Sequence, residues 1–216
     1  MTGNQSGRFI TLEGGEGGGK STQARRLAAM LELDVDEVLL TREPGGSAGA
    51  EQIRGLLVDG EVQRWDAITE TCLHFAARRD HLANLVLPAL ARNAWVISDR
   101  FADSTTAYQG YGHGVDRQAI ADLYRICVGS LKPDLTLILD LPVEAGLERA
   151  AGRGGGEDRY ERMDIAFHKR LRQGFLEIAA QDPARCVVID AARGEDEVHG
   201  QIIAAVRDRM ALPSAT

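Results

Sequence analysis

The chain has 216 residues, of which 44% are hydrophobic and 26% are charged. This length suits one domain with a sizeable core, and we treat residues 1–216 as a single domain. We expect a cytoplasmic location, because no apolar run approaches the ~18 residues of a membrane span and the polar start lacks a signal-peptide profile. The formal net charge of −7 argues against binding to nucleic-acid polymers or anionic membranes, which favour basic surfaces.

The three cysteines are Cys72, Cys127 and Cys186, which are far apart and set among apolar neighbours. Their odd number and wide spacing suit neither a disulfide framework nor a metal-ligand cluster. We therefore expect reduced thiols in the core.

Strand-like and helix-like runs alternate along the chain, which is the signature of an α/β protein with a parallel sheet. We predict five strands, at 8–13, 37–41, 94–98, 135–139 and 186–189. Helices are predicted at 20–33, 48–58, 67–93, 117–129, 144–151, 161–180 and 195–210. A loop is predicted around Gly110, Gly112 and Gly114. The glycine-rich run 152–158 lies between two helical patterns and fits a flap better than a domain boundary.

The segment Gly14–Ser21 reads GGEGGGKS and matches the phosphate-loop pattern G-x-x-x-x-G-K-[ST]. A predicted strand precedes it and a predicted helix follows it, as this motif requires. Its glycines let backbone N–H groups surround phosphate oxygens at the positive N-terminus of the helix. Lys20 would contact the β- and γ-phosphates and Ser21 would ligate Mg²⁺. The less specific alternative is a glycine-rich turn capped by Ser21.

Polar segments at two other strand ends predict an acceptor-binding surface. Ligands of open parallel sheets bind at the carboxyl ends of the strands, where Thr41–Gly46 (TREPGG) and Asp99-Arg100 lie. Asp99 could hold Mg²⁺, and Arg100 could bind a phosphate through two nitrogens. The segment 104–110 (STTAYQG) offers hydroxyls, an amide and a ring that suit a base edge. The alternatives are an ordinary turn for TREPGG, a surface ion pair for Asp99-Arg100 and a polar loop for the segment 104–110.

Two further groups of arginines are candidates for nucleotide binding. Phe75 and either Arg78 or Arg79 could share one helical face, stack on a base and hydrogen-bond its carbonyl. The alternative is a core Phe with solvated arginines. Arg149, Arg153 and Arg159 bracket the flap, where they could neutralise a transferring phosphoryl group and exclude water. A solvated charged loop remains the alternative there.

Taken in order, these motifs resemble the thymidylate kinase family over most of the chain. The matching features are FITLEG with the GKST loop, TREPGG, a FAAR-type helix, DR followed by STTAYQG, LILDLP and the DRYE that ends the flap. TREPGG and the DR…AYQG block are more specific than the phosphate loop. The resemblance implies a P-loop kinase fold, with a five-stranded sheet of order 2-3-1-4-5 flanked by helices and a short lid at about 150–160. It also implies transfer of the γ-phosphoryl group of ATP to dTMP with Mg²⁺, in dTTP biosynthesis, by a homodimer packed through helices.

The resemblance assigns expected roles to individual residues. The expected catalytic residues are Lys20, Arg153, Arg100 and Glu16, with Ser21 and Asp99 at the metal. Expected contacts to ATP are Gly14, Gly15, Glu16, Gly17, Gly18, Gly19, Lys20, Ser21, Thr22, Arg149 and Arg159. Expected contacts to dTMP are Arg42, Pro44, Phe75, Arg78, Arg100, Thr105, Tyr108 and Gln109. Tyr108 is also expected to crowd the sugar 2′ position.

Comparison with the family pattern sharpens two of these roles. The chain resembles the bacterial subgroup of the family, whose catalytic arginines come from the lid: position 17 is Gly, where the other subgroup has an Arg. Arg153 is therefore the expected charge-neutralising arginine of the lid, with Arg149 and Arg159 in support. Matching toward Pro88 favours Arg78 over Arg79 for the base and leaves Phe75 or His74 as the stacking group. The family often has Tyr after the DR motif, and Phe101 stands there instead.

Three other functions compete with this hypothesis. The first is another nucleotide or nucleoside kinase of the same fold. The second is a nucleotide-dependent switch or ATPase module; no N-K-x-D-type guanine-binding motif is found, and a switch needs no acceptor site. The third is a non-catalytic binder, which is disfavoured because Lys20, Ser21, Asp99 and Arg100 are all present.

Overall fold

The computed structural model describes residues 7–152 and 159–210, and a five-stranded parallel sheet lies at its centre. The strands are β1 (Arg8–Glu13), β2 (Val38–Arg42), β3 (Trp95–Asp99), β4 (Leu135–Asp140) and β5 (Cys186–Asp190). Their order is β2-β3-β1-β4-β5, which confirms the predicted order. In the register of β1 and β3, Leu12 pairs with Asp99. The ends of these strands therefore lie together at the carboxyl edge.

Helices connect the strands and cover both faces of the sheet. They are α1 (Lys20–Leu31), α2 (Ala48–Val58), α3 (Ala67–His81), α4 (Leu87–Ala91), α5 (Ala102–Thr105), α6 (Arg117–Cys127), α7 (Val143–Ala151), α8 (Ile165–Gln181) and α9 (Glu195–Arg209). A π-helical turn, Leu82–Val86, joins α3 to α4, so the predicted helix at 67–93 is one continuous helical segment up to Ala91.

The loop predicted around Gly110 and Gly112 is wrong. Here α5 continues into a π-helical segment, Thr106–Gly112. A Cβ at Gly112 would lie 2.5 Å from Cε2 of Phe167 on α8. At this position glycine permits close packing between helical segments, rather than a turn, and sequence alone does not distinguish these two uses.

Alternate strand residues face opposite sides of the sheet, and each side has its own core. Ile10 and Leu12 pack against α1 and α9, while Phe9 packs among residues of α3 and α6. A third group of buried residues joins the π-helical segment after α5 to α8. Because both faces are covered, the sheet's carboxyl edge remains as a place where polar side chains can converge.

The helix N-termini differ in how they are capped. Asp66, Asp116 and Asp164 accept backbone N–H groups of α3, α6 and α8 respectively. The Asp164 cap makes α8 begin at Ile165, later than predicted. By contrast Gly19, the N-cap residue before α1, has no side chain to make a cap hydrogen bond, so the first N–H groups of α1 have no carboxylate cap.

The prediction of three core thiols is right only for Cys186. Cys186 is buried, Cys127 is half-buried and Cys72 is exposed, and all three are free. Cys72 lies on the solvent side of α3, and hydrophobic neighbours in sequence do not fix which side of a helix a residue occupies. Within residues 7–152 and 159–210, no helix combines the length and apolar character needed to cross a membrane.

Candidate active site

A cleft of about 320 Å³ opens at the carboxyl edge of the sheet. Its walls come from the loop after β1, the segments after β2 and β3, the middle of α3, and residues 160–161. The predicted site residues that line it are Glu16, Gly17, Gly18, Gly19, Lys20, Ser21, Arg42, Pro44, Arg78, Asp99, Arg100, Thr105, Tyr108 and Gln109. Motifs that are distant in sequence therefore meet in one cavity.

The phosphate loop has a backbone that requires glycine. Gly17 has φ of 70°, and a Cβ there would lie 2.0 Å from the carbonyl oxygen of Gly146. The Nζ of Lys20 donates to the carbonyl oxygen of Gly15 at 2.6 Å, across the loop. Burial is the main cause that lowers the pKa of Lys20 to about 8, and the charge of Arg100 adds to it. A polyanion bound in the loop would relieve both effects.

The donors beside the loop suit Mg²⁺. Ser21, in the first turn of α1, donates its hydroxyl to Oδ2 of Asp99 at the end of β3. Hydroxyl and carboxylate oxygens are the hard ligands that Mg²⁺ prefers, and this ion keeps most of its shell from water and substrate phosphate. Among the described residues, no group of three or more His, Cys, Asp or Glu could hold a metal ion.

Arg100 connects the phosphate loop with the acceptor side. Its backbone is left-handed, with φ of 73°, which is uncommon outside glycine. The guanidinium donates to the carbonyl of Gly14 at 2.9 Å, to Oγ of Ser104 at 3.1 Å and to Oε1 of Glu16 at 3.1 Å. Burial opposes the charge of Arg100, but the neighbouring Tyr108 and Glu16 outweigh it and raise the pKa.

Glu16 is a charged acceptor inside the cleft. Burial alone would raise its pKa, but Arg100 and Lys20, together with a hydrogen bond from the hydroxyl of Tyr108, lower the pKa to about 2. The guanidinium carbon of Arg100 lies 5.0 Å from the ring centroid of Tyr108. Glu16, Arg100 and Tyr108 therefore form one cluster between the two halves of the cleft.

A second carboxyl group lies behind Arg100. Glu13, fully buried at the end of β1, accepts from the backbone N–H of Phe101 at 2.8 Å and from Oγ of Ser104 at 2.5 Å. Burial, with a smaller contribution from Asp103, raises the pKa of Glu13 to about 8. Glu13 thus supports the segment that carries Arg100. The sequence analysis did not identify this residue.

Arg78 is the centre of the opposite wall. Its Nε donates to Oε2 of Glu43 at 2.7 Å, and its Nη2 donates at 3.1 Å to the carbonyl of Phe101 and to Oγ1 of Thr105. The side chain is 2% exposed. Its buried Nη1 has no hydrogen-bond partner in the described part of the chain. One side of the guanidinium is thus fixed by the protein, and one donor remains for a ligand.

The residues around Arg78 decide between the alternatives left open by the sequence. Arg79 is exposed, and within the described part of the chain its side chain donates to the carbonyl of Cys127 at 3.4 Å. Phe75 is 1% exposed and belongs to the core beneath Arg78, so its expected stacking contact with substrate is wrong. His74 lines the cleft instead. Burial, then the charge of Arg78, lowers the pKa of His74 to about 3, so its ring is neutral.

The three arginines expected near the moving phosphoryl group have different surroundings. Arg149 is exposed and donates to the carbonyls of Ala191, at 2.9 Å, and Ala192; it does not line the cleft. Arg153 lies outside the described residues. Arg159 is 1% exposed and paired with Glu70 at 2.5 Å, which contradicts its expected contact with ATP because its donors are occupied inside the protein.

The remaining predicted contacts are peripheral or well inside the wall. Arg42 is 53% exposed and pairs with Glu51 at 3.2 Å. Pro44, after a cis peptide bond, lies at the cleft rim. Thr22 points away from the cleft and accepts from Arg25 at 3.4 Å. Gln109 is fully buried, donates to Oε1 of Glu70 at 2.8 Å, and leaves its own Oε1 without a partner among the described residues.

Several residues of the wall were missed by the sequence analysis. Glu43 pairs with Arg78, and its Oε1 is also hydrogen-bonded to Nδ1 of His81 at 2.9 Å. The other ring nitrogen of His81, Nε2, is hydrogen-bonded to Oγ1 of Thr41 at 2.7 Å. Tyr160 lines the cleft and bonds His74 at 2.9 Å. Both residues stand inside motifs that the sequence displays, Glu43 in TREPGG and Tyr160 in DRYE, and these motifs were the signals that could have found them.

Comparison with known proteins agrees with this geometry. The thymidylate kinase family profile matches residues 12–202. The thymidylate kinase of Caulobacter vibrioides is 54% identical over 206 residues, covering 95% of this chain and 99% of that protein. That of a Bradyrhizobium species (strain BTAi1) is 54% identical over 206 residues, covering 94% and 91%. A crystal structure of thymidylate kinase from Ehrlichia chaffeensis aligns with a TM-score of 0.76 at 37% identity, covering 93% of this chain and 99% of that one. On fold, motif and overall likeness together, the chain belongs to the thymidylate kinase family.

Proposed function

We propose that the cleft binds ATP on the phosphate loop and dTMP between Arg100 and Arg78. The chain transfers the γ-phosphoryl group of ATP to dTMP, giving dTDP and ADP in dTTP biosynthesis. The observation that carries the proposed arrangement is the pair of walls in one cavity: a glycine loop with Lys20 on one side, and a buried Arg78 with an unused donor on the other.

ATP would lie on the loop Gly14–Ser21. Its phosphate oxygens would accept backbone N–H groups at the N-terminus of α1, where no acidic side chain lies in the first turn and the helix dipole favours an anion. Lys20 would exchange its bond with the Gly15 carbonyl for phosphate oxygens. Thr22 and Arg149 face away from the cleft, and a contact to the adenosine end, outside the cavity, remains their proposed role.

Ser21 and Asp99 would hold Mg²⁺, as their oxygen donors allow. Bound there, the ion would neutralise charge on the β- and γ-phosphates. The chain's own contribution is to fix the two oxygens: Ser21 by its place in the first turn of α1, and Asp99 by its place at the end of β3. Removal of Mg²⁺ by a chelator should abolish turnover, and restored Mg²⁺ should restore it.

dTMP would place its phosphate at Arg100 and its base at Arg78. Arg100 is held by Gly14 and Glu16, so little conformational entropy is lost when it binds a phosphate. The free Nη1 of Arg78 is a donor for a pyrimidine carbonyl, and the unpartnered Oε1 of Gln109 is an acceptor for a ring N–H. Thr105 fixes Arg78. Pro44 and Arg42 would close the rim.

The neutral aromatic surface of the cleft suits a nucleobase and a deoxyribose. His74 and Tyr160, joined by a hydrogen bond, offer rings beside Arg78. Tyr108 donates its hydroxyl to Glu16, which keeps the phenol ring on the sugar side of the cleft. In this arrangement Tyr108 would exclude a 2′-hydroxyl group, because its ring is held by Arg100 and Glu16.

Catalysis would consist of positioning and charge stabilisation, with little covalent chemistry by the protein. Lys20 and Arg100 approach the transferring group from its two ends. Glu16, ionised at neutral pH because its pKa is lowered to about 2, holds Arg100 at the acceptor phosphate. No general base is required, since the acceptor phosphate is itself ionised.

Arg153 is proposed as the arginine that neutralises charge on the phosphoryl group in the transition state. The loop position 17 is closed to any side chain, since a Cβ would collide with Gly146, so an arginine must come from another segment. Arg153→Ala should lower kcat by about a thousandfold or more. Near-normal kcat in that variant would refute the assignment, and the exposed Arg162 provides a matched Arg→Ala control.

The acceptor specificity is tested by comparing turnover on dTMP, dUMP, dCMP, AMP and thymidine with ATP as donor. We expect dTMP to have the highest kcat/KM, and thymidine to be inactive because it lacks the phosphate that Arg100 binds. The Arg78→Met variant should lose more on dTMP than on AMP. A preference for AMP or thymidine in the unmodified chain would contradict the proposed arrangement.

We also propose a homodimer packed through helices, located in the cytoplasm. Ile68 on α3 and Ile126 on α6 are 57% and 69% exposed, which suits a helical interface. Three free cysteines are usual in a reducing compartment, and the net charge of −7 does not favour nucleic-acid polymers. Sedimentation should give the mass of a dimer, and Ile126→Glu should shift it toward the monomer.

A further inference from the structure

Each of the three guanidinium nitrogens of Arg159 has a partner inside the protein. Besides the ion pair of its Nη2 with Oε2 of Glu70 at 2.5 Å, Arg159 donates to three backbone carbonyls in the last turn of α2 and just after it. These are Leu57 at 3.1 Å from Nη1, Glu61 at 3.1 Å from Nε and Val62 at 2.8 Å from Nη2. Arginine is the one side chain with enough donors in fixed directions for such a set.

Glu70 connects Arg159 to the nucleoside wall. Its second oxygen, Oε1, accepts from Nε2 of Gln109 at 2.8 Å. Glu70 is 1% exposed and Gln109 is fully buried. The hydrogen bond fixes the orientation of the Gln109 amide, so that its oxygen, which has no partner among the described residues, remains available at the cleft.

Tyr160, the next residue in the chain, forms part of the same wall. Its hydroxyl bonds Nε2 of His74 at 2.9 Å, and its ring meets that of Tyr108 edge-on at 5.3 Å between centroids. The guanidinium carbon of Arg159 lies 5.3 Å from the Tyr160 ring centroid. With Arg159 fixed inside the protein, Tyr160 is fixed at the cleft.

We propose that Arg159 and Glu70 are a positioning pair for the nucleoside half of the site. The pair holds the Gln109 amide from one carboxylate oxygen and the Tyr160 ring through the adjacent backbone. It therefore sets recognition of the nucleoside monophosphate and leaves ATP binding untouched. This inference rests on the proposed placement of the base between Arg78 and Gln109.

The test is a kinetic comparison of Glu70→Gln, Arg159→Gln and the double variant, with Arg162→Gln as control. Arg162 is an exposed arginine of the same segment that donates to the carbonyl of Gly60 at 2.7 Å. Each single variant leaves one charge buried without its partner, which destabilises the fold; the double variant removes both charges. The double variant therefore keeps the test decisive if a single variant does not fold.

We expect the KM for dTMP to rise about tenfold or more in the Glu70 and Arg159 variants, because a small misplacement of binding groups has large effects. The KM for ATP and the values for Arg162→Gln should stay close to those of the unmodified chain. Arg159→Lys, which keeps the charge but has fewer directed donors, should restore part of the dTMP affinity.

Two results would overturn the proposal. A raised KM for ATP or a lowered kcat with an unchanged KM for dTMP would identify Arg159 as a phosphate-binding arginine after all. Loss of thermal stability with both KM values unchanged would make the pair purely structural. Arg78→Met, measured alongside, separates the two hypotheses: if it leaves the KM for dTMP unchanged, the proposed base site itself is wrong.

Discussion

Replacement of Arg78 by Met removes a buried ion pair and the proposed donor to the base in one step. Arg78 and Glu43 are 2% and 3% exposed in their side chains and 2.7 Å apart. Loss of one partner of such a pair costs about 3–5 kcal/mol, because the other charge remains buried. A lost hydrogen bond from a charged donor costs about 1.5–3 kcal/mol, which corresponds to about a 10- to 100-fold drop in kcat/KM for dTMP.

These two effects are separated by a second substitution. Glu43→Gln in the Arg78→Met background removes the unpaired carboxylate, so the free energy of unfolding from urea denaturation should recover in large part. The kcat/KM for dTMP should not recover, since the donor is still missing. Arg79→Met is the matched control: Arg79 is adjacent but exposed, and its contact with the carbonyl of Cys127 is long, at 3.4 Å.

The reasoning would be refuted by either of two results. One is an Arg79→Met variant that loses as much kcat/KM for dTMP as Arg78→Met does. The other is additivity of the Glu43 and Arg78 substitutions in the free energy of unfolding, since residues that share a buried pair must show a coupling energy.

Three further predictions concern the phosphate loop and the carboxyl group behind it. The kcat/KM for ATP should fall as the pH rises through about 8, because Lys20 of the free protein loses its proton there. The kcat should stay constant to higher pH, because bound phosphate favours the charged amine. Coinciding pH profiles of kcat/KM and kcat would contradict this. Gly17→Ala should lower the free energy of unfolding by about 1 kcal/mol or more, since φ there is positive and Gly146 leaves no room for a Cβ. Gly15→Ala is the control and should be close to neutral, because no atom lies within 4 Å of a Cβ at that position. Equal effects of the two substitutions in urea denaturation would count against the argument. The pKa of Glu13 is raised from 4.5 to about 8, so the stabilisation by its protonated form is complete below about pH 4.5 and lost as the pH rises through about 8. Relative to Glu13→Gln, the free energy of unfolding of the unmodified chain should therefore decline across that range. A constant difference in the free energy of unfolding between the two proteins would show that Glu13 does not titrate there.

The phosphate loop and the positions of the strands could be predicted from the sequence because both depend on neighbouring residues. Gly14–Ser21 carries its own chemistry in a contiguous segment, between a strand and a helix, and the structure confirms that setting. Buried strands such as Leu135–Asp140 are nearly uniform in hydrophobicity, so their positions are visible without knowledge of their partners. The acceptor-binding surface could be predicted because TREPGG and AYQG resemble motifs of a known family.

Which side of a helix faces the cleft was decided by the tertiary structure. Phe75 and His74, like Arg78 and Arg79, are adjacent on α3, and periodicity alone left each choice open. Packing against Phe101 and Phe9 takes Phe75 into the core, which turns His74 to the cleft. The buried Glu43 selects Arg78, because a charge can be buried there only beside its partner.

Arg159 shows most plainly what the sequence by itself could not determine. As one of three arginines around a glycine run, it had the residue type and the spacing of a phosphate ligand. Its actual partners, Glu70 and the carbonyls at the C-terminal end of α2 and just after it, lie about 90 and 100 positions earlier in the chain. The sequence by itself determined where the phosphate loop and the strands lie, since those signals are local, whereas the order of the strands followed from the resemblance to a family. Only the fold decided which arginines remain free to bind phosphate and which are used within the protein, because a guanidinium pairs with whatever carboxylate or carbonyl the tertiary structure brings to it.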